Sequence, residues 1–410
     1  MSSEPTGAPH GRMGLALAGG VIEGGFYEVG VLCALQDAVE GLDFAAMDVY
    51  VGVSAGAVIT SLLANGVAPR RLSRAILSLA DPVLNLDPDI LFTPALREYA
   101  RRVGKLPLSL ARWVRRRLEK PADISLIGML WELGELTPVG IFDSSPMERY
   151  LSRAFATEGR TNDFRSLAAE LRIVAVKLDS AELVAFGDAD TAHVPISKAV
   201  QASIALPGLY CPVQIDGEPY IDGVAKRTLN ASLALDAGVD LLFCVNPIVP
   251  VDLGGYRDGH GRSRSLVDFG LPSVLSQTFR TMIHSRMGTG FRSYAHQYPD
   301  SDVVLIEPEL DDASMFFSNI FSFTNRRQVC EHAYASTRRH LLARADELDE
   351  KLGRRGLKLR RDVLSDPRRT LFGDGRLAPR PATTAQAVTA DIRDTLDRLD
   401  AALDRLRKVV

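Results

Sequence analysis

The pentapeptide Gly52-Val53-Ser54-Ala55-Gly56 sets the tightest limit on how this chain folds. It follows the apolar run Asp48-Val49-Tyr50-Val51 and precedes the apolar stretch from Ala57 to Leu63. A strand that passes through G-x-S-x-G into a helix makes a turn too tight for bulky flanks. Gly52 and Gly56 suit that turn, which pushes the Ser54 hydroxyl out over the end of the sheet. The free N–H groups at the start of the following helix, Ala55 first, favour negative charge beside that hydroxyl. Taken alone, the same five residues also fit a plain small-residue turn.

A serine hydroxyl needs a base to become a nucleophile. The usual base is histidine, and the chain has seven. His10 lies in a polar tail, His193 in a loop-like stretch, and His260 after a Gly-rich charged stretch. His332 and His340 fall in a long charged helical pattern. None sits among small residues at the end of an apolar strand, and only His284 and His296 stay open. A carboxylate fits better. In Tyr220-Ile221-Asp222-Gly223 a strand ends in an Asp-Gly turn. Upstream lies a small-residue helix, Ala199 to Leu206, stopped by Pro207-Gly208 and followed by a strand from Tyr210 to Ile215. Downstream come a helix from Leu233 ended by Gly238 and a buried strand from Leu241 to Val245.

Near the N-terminus, Met13 to Ala18 reads as a short buried strand and Tyr27 to Leu35 as a helix, with the Gly-rich stretch Gly19 to Gly25 between them. The glycine spacing is not G-x-G-x-x-G. Gly25-Phe26 stands where a P-loop needs Lys and then Ser or Thr. Bare backbone N–H groups there suit an oxyanion hole, whose value comes from donors fixed where charge develops.

With these pieces in order, the chain resembles the patatin-like phospholipases, a family of lipid acyl hydrolases. The resemblance rests on the Gly-rich loop with its E-V-G-V-L helix, the G-V-S-A-G-A turn, the A-V-Q-A-S-I-A-L-P-G segment and the Y-I-D-G turn, and spans about Met13 to Pro247. Leu171 to Asp179 and the stretch to Phe186-Gly187 match the family's strands before the A-L-P-G segment. The resemblance implies a Ser54–Asp222 dyad without histidine, and an oxyanion hole from Gly19, Gly20 and Gly24. It implies a three-layer α/β fold whose central, mostly parallel sheet carries helices on both faces. The alternating strand and helix pattern agrees. Three departures stand out. Glu23 replaces the loop's usual basic residue, the loop is one residue longer, and Val224 follows Asp222-Gly223. A carboxylate beside a developing oxyanion would repel it unless Glu23 is solvated or paired.

The implied reaction is hydrolysis of a phospholipid or lysophospholipid acyl ester through an acyl-enzyme, with no cofactor and no metal. An ordinary Asp, with a pKa of about 3.9, is a weak base at neutral pH, so Asp222 has to be buried. A transacylase of the same fold, or a lipid- or partner-binding protein with an impaired oxyanion loop, are the alternatives.

Residues 1–12 are expected as a tail, 13–365 as the hydrolase domain, 366–382 as a linker and 383–410 as an amphipathic helix. Residues 81–137 are expected as a helical insertion that acts as a lid. A net charge of −3 gives no sign of nucleic acid as partner. No signal peptide is expected ahead of the domain, and no apolar run approaches the roughly 20 residues of a membrane span. Cys33, Cys211, Cys244 and Cys330 are far apart, without metal-ligand spacing, and read as free thiols of a reducing, cytoplasmic compartment. Residues 97–120 hold nine Lys or Arg against two Glu, with Leu106, Leu110, Val114 and Leu118 four apart. Such a helix either packs on the body or touches an anionic membrane. The apolar stripe Val388, Ile392, Leu396, Leu399, Leu403, Leu406 and Val410 either docks on its own domain or pairs two copies.

Overall fold

A computed structural model describes residues 11–78, 81–102, 104, 137–254, 257, 265–312, 323 and 325–372. The 383–410 helix and most of 97–120 lie outside the described residues.

The core is a sheet in the order β11-β10-β1-β3-β5-β9-β8. Its strands are β1 (Met13–Leu17), β3 (Val49–Val53), β5 (Glu170–Lys177), β8 (Val213–Ile215), β9 (Glu218–Asp222), β10 (Leu241–Val245) and β11 (Asp302–Ile306). β11, β10, β1, β3 and β5 run parallel. β9 and β6 (Leu183–Phe186) are antiparallel to β5, and β8 is antiparallel to β9. β3 and β10 are buried at every position, because strands covered on both faces read as continuous apolar runs. This is the mostly parallel α/β architecture that the strand and helix pattern implies.

Both faces carry helices. α1 (Val21–Ala38), α2 (Ala55–Ala64) and α3 (Pro69–Ser78) are followed by the short α4 (Pro88–Leu91) and by α5 (Ser145–Phe155) and α6 (Ile196–Ser203). α7 (Ala231–Asp236), α8 (Gly270–Gln297), α9 (Arg326–Ala343), α10 (Ala345–Gly353) and α11 (Arg361–Ser365) complete the set. One apolar cluster joins α1, α2 and α9 to one face. The other, around Val51, Val53, Leu235 and Leu242, lies under α7 and α8.

Several boundaries differ from the sequence expectation. α1 begins at Val21 and not at Tyr27. Two of the glycines that suggest a loop, Gly24 and Gly25, lie in its first turns, where a Cβ on Gly24 would stand 2.9 Å from Pro247. The strand expected from Tyr210 to Ile215 is cut at Cys211-Pro212. β7 (Gly208–Tyr210) pairs with β4 (Gly140–Phe142), and β8 joins the main sheet. Pro212 removes a ladder donor at the cut. The long helix expected from Arg327 to Leu352 is two helices broken at Arg344. Residues 366–372, the first part of the expected linker, pack on the domain: Leu371 is buried, and its N–H donates to Glu331.

Candidate active site

Ser54 sits between β3 and α2 with φ +54° and ψ −121°. A non-glycine residue in that region costs of order 1–3 kcal/mol and persists only when its surroundings force it. Three contacts do so. A Cβ on Gly52 would stand 2.1 Å from Thr60 Oγ1, and one on Gly56 would stand 2.6 Å from the Leu17 carbonyl oxygen. The third is Ser203 at the end of α6, whose hydroxyl accepts from the Ser54 N–H at 2.8 Å and donates to the Val174 carbonyl at 2.6 Å. In the sequence, Ser203 is marked only as a serine at the end of a small-residue helix.

Asp222 arrives by strand register. Val174 pairs with Val53, and the next residue of β5, Ala175, pairs with Asp222. The side chains that follow β3 and end β9 are therefore neighbours. Gly223 permits this, since a Cβ there would stand 2.6 Å from the Val174 carbonyl and 3.0 Å from Val53. Asp222 is 1 % exposed. Its Oδ1 accepts from the Val224 N–H at 2.9 Å, while Oδ2 has no hydrogen bond of normal geometry. Burial pushes the carboxyl up to about 7, against the opposing pull of the nearby Ser54 hydroxyl and the Val224 N–H.

The Gly-rich stretch closes over this pair. A Cβ on Gly19 would meet Val224 at 2.2 Å and Ser54 at 3.1 Å. Val224, the third departure from the family pattern, is thus what packs on Gly19. Of the four amides expected at the oxyanion hole, that of Gly19 donates to Thr228 and that of Gly24 to Gly20. The Gly20 and Ala55 amides meet no carbonyl among the described residues. They stand at the N-termini of α1 and α2, where N–H groups have no intrahelical partner. Val21, the first residue of α1, has φ +56°. That value is a true outlier for a β-branched residue.

Glu23 does not face this site. It is 4 % exposed, so solvent does not neutralise it. Burial pushes its carboxyl up to about 8, moderated by Arg280 of α8, and Asp312 adds to the rise. At neutral pH Glu23 is mainly uncharged and does not line the cavity that holds Ser54. A second carboxyl on α1, Glu28, is fully buried and held well above the usual range by desolvation.

That cavity has a volume of about 100 Å³. Ile22 and Phe26 of α1, Val58 of α2, Ile76 of α3, Leu91 of α4 and Met147 of α5 form much of its wall. Leu86 and Leu91 come from the expected lid segment. The Tyr210 hydroxyl in the wall is tied to the Leu91 carbonyl at 2.9 Å. Ser54 is therefore the one lining hydroxyl, among the described residues, left for a ligand.

No described histidine lines the cavity. His193 meets Asp216 on the surface, His332 meets Asp312, and His340 meets Arg344. His284 lies on α8 near Glu307, and His296 in the last turn of the same helix. His10 and His260 lie outside the described residues. Among the described residues no group of three His, Cys, Asp or Glu side chains could hold a metal ion. No helix among them is long and apolar enough to cross a membrane. The four cysteines are free thiols, three of them buried.

The family model for patatin-like phospholipase matches residues 15–235, more than half of the chain. The chain belongs to the patatin-like phospholipase family. It is similar to the uncharacterized protein R571 of Acanthamoeba polyphaga mimivirus, with 25 % identity over 224 residues, covering 54 % of this chain. The chain spans 60 % of the length of that curated relative. Among solved structures it is similar to VipD from Legionella pneumophila (14 % identity, TM-score 0.29, covering 79 % of this chain and 67 % of that one). It is also similar to ExoU from Pseudomonas aeruginosa, solved in complex with SpcU (14 % identity, TM-score 0.28, covering 70 % and 53 %).

Two outcomes are expected from the strain and from the buried charges. Ser54→Gly should be more stable than Ser54→Ala by about 1–2 kcal/mol in urea unfolding, because both lose the hydroxyl but only glycine relaxes at φ +54°. Equal stability would mean that the turn is unstrained. Glu23→Arg buries a second cation near Arg280 and should cost about 3–5 kcal/mol, as an uncompensated buried charge does. Glu23→Gln should unfold close to wild type.

Proposed function

We propose that the chain is a serine acyl ester hydrolase acting on phospholipids, lysophospholipids or related fatty acyl esters. In this reading Ser54 is the nucleophile and Asp222 its general base. The observation that supports it most is the pairing of an apolar cavity with a single free hydroxyl among the described residues, that of Ser54, beside a buried carboxylate. An acyl chain in the cavity brings its carbonyl carbon to Ser54. Asp222 Oδ2 takes the hydroxyl proton as the Ser54 oxygen attacks. The resulting oxyanion is held by the free N–H groups of Gly20 and Ala55 at the two helix N-termini, with Gly19 and Gly24 shaping the loop around them. The alcohol leaves with the proton held by Asp222. Water, deprotonated by the same carboxylate, then attacks the acyl-enzyme, and the fatty acid is released as Asp222 returns that proton to the leaving Ser54 oxygen. Glu23, whose burial favours the neutral acid and which does not line the cavity, does not oppose the oxyanion, and the hydrolase is preferred over the binding-protein alternative for that reason.

The test is a ladder of p-nitrophenyl esters assayed across pH. The base must be ionised, so kcat/KM should rise with pH through an apparent pKa of about 7 and fall tenfold per unit below it. Each added methylene should raise kcat/KM about fourfold, from ~0.8 kcal/mol of burial, until the cavity is full. Asp222→Asn should lower kcat by about 10²–10⁴. A pH profile that is flat from 5 to 9, or an Asp222→Asn variant near wild-type rate, would remove Asp222 from the reaction.

A further inference from the structure

α8 is 28 residues long and amphipathic in two halves. Its C-terminal half turns Met287, Phe291 and Tyr294 onto the core. Its N-terminal half turns large apolar side chains outward. Leu271 is 69 % exposed, Phe279 60 % and Met282 56 %, and Val274 and Leu275 stand between them. Val267, in the turn before the helix, is 74 % exposed. Spacings of four, four and three residues from Leu271 through Leu275 and Phe279 to Met282 put them in one stripe. Scattered exposed apolar residues need no explanation, but a contiguous stripe marks an interaction surface.

The orientation of this stripe is fixed by what holds the opposite face. Gln277 pairs with both backbone groups of Val251, accepting at 3.0 Å and donating at 2.7 Å. Arg280 donates to the Val249 carbonyl at 3.1 Å. The stripe is therefore the outer side of a fastened helix.

Charge identifies the occupant. Gly270 to Gln297 contains three Arg, two His and no Asp or Glu. The acid nearest in sequence, Asp268, accepts from the Ser265 N–H at 2.9 Å in a capping box. Arg286 is exposed, and its guanidinium donates to the Lys226 carbonyl at 2.7 Å. Lys226 and Arg227 are themselves exposed and follow directly from the Asp222-Gly223 turn. The apolar stripe thus runs into a cationic edge that ends at the candidate active site. An anionic bilayer offers hydrocarbon for the stripe and phosphate for the edge.

We propose that the Val267–Met282 stripe of α8 is the face by which the protein docks on anionic membranes, lying in the interface with the Asp222 turn beside the headgroups. The proposal rests on the reading of the chain as a lipid acyl hydrolase. It places membrane contact on α8.

The experiment compares the full-length wild type, Ser54→Ala and the double variant Leu271→Glu/Phe279→Glu. Each is sedimented with vesicles of phosphatidylcholine and phosphatidylglycerol in equal parts, and with pure phosphatidylcholine. Wild type and Ser54→Ala should bind the mixed vesicles, and less so in pure phosphatidylcholine or at high salt. The double variant should bind at least about tenfold more weakly, since two buried side chains are lost. Its melting temperature and its hydrolysis of a short-chain water-soluble ester should be unchanged. Three results would overturn the proposal. They are vesicle binding by the double variant equal to wild type, a wild-type dimer that the double variant dissociates, and a large drop in melting temperature, which would mean that the chain covers the stripe itself. If wild type and Ser54→Ala bind vesicles but wild type hydrolyses no ester, the docking face stands and the hydrolase reading fails.

Discussion

The close approach of α2 to the end of β1 is the contact on which the rest of the site depends. Gly56 has no side chain, and a Cβ there would stand 2.6 Å from the Leu17 carbonyl and 2.7 Å from that of Ala18. Because that space is empty, the N-terminus of α2 sits over the strand ends and Ser54 is forced to φ +54°. Ser203 then locks the turn from the other side, satisfying the Ser54 N–H and the Val174 carbonyl with one hydroxyl. Breaking such a buried bridge leaves two polar groups unpaired, at about 1–3 kcal/mol each. The register of β5 brings Asp222 to the same place through adjacent residues.

Desolvation has opposite uses at the two buried carboxyls near the site. At Asp222 it raises the proton affinity to about 7, which suits a base that must both take and return a proton near neutrality. At Glu23 it raises the affinity to about 8, so the group stays mainly uncharged where a carboxylate would oppose negative charge. The repulsion that the sequence raises as a concern is thus met by burial beside Arg280 and not by exposure. α8 supplies Arg280 on its inner side and the apolar stripe on its outer side. One helix thereby adjusts the environment of α1 and faces outward beside the site.

The fold and much of the site were legible where the information is local. The turn at Ser54, the strand Leu241 to Val245 and the turn at Asp222 each depend on a few neighbouring residues, and the sequence pattern places them well. Long-range contacts were not legible. Glycines 24 and 25 read as loop because glycine is a poor helix former, yet they lie in a helix that packs on Pro247 and Ala55. Cys211-Pro212 divides what looks like one strand between two sheets. The partner of Glu23 lies more than 250 residues away along the chain. The stripe on α8 could not be told from a core-facing one in the sequence, because helical spacing alone does not say which side meets the core.

The central claim is that Ser54 is a nucleophile made reactive by a buried carboxylate with no histidine. A fluorophosphonate probe, followed by peptide mass mapping of the labelled site, tests it most directly. The account predicts one adduct, on the Ser54 hydroxyl, that is absent in Ser54→Ala and forms far more slowly in Asp222→Asn. No adduct on wild type, or an adduct at another residue that persists in Ser54→Ala, would contradict it.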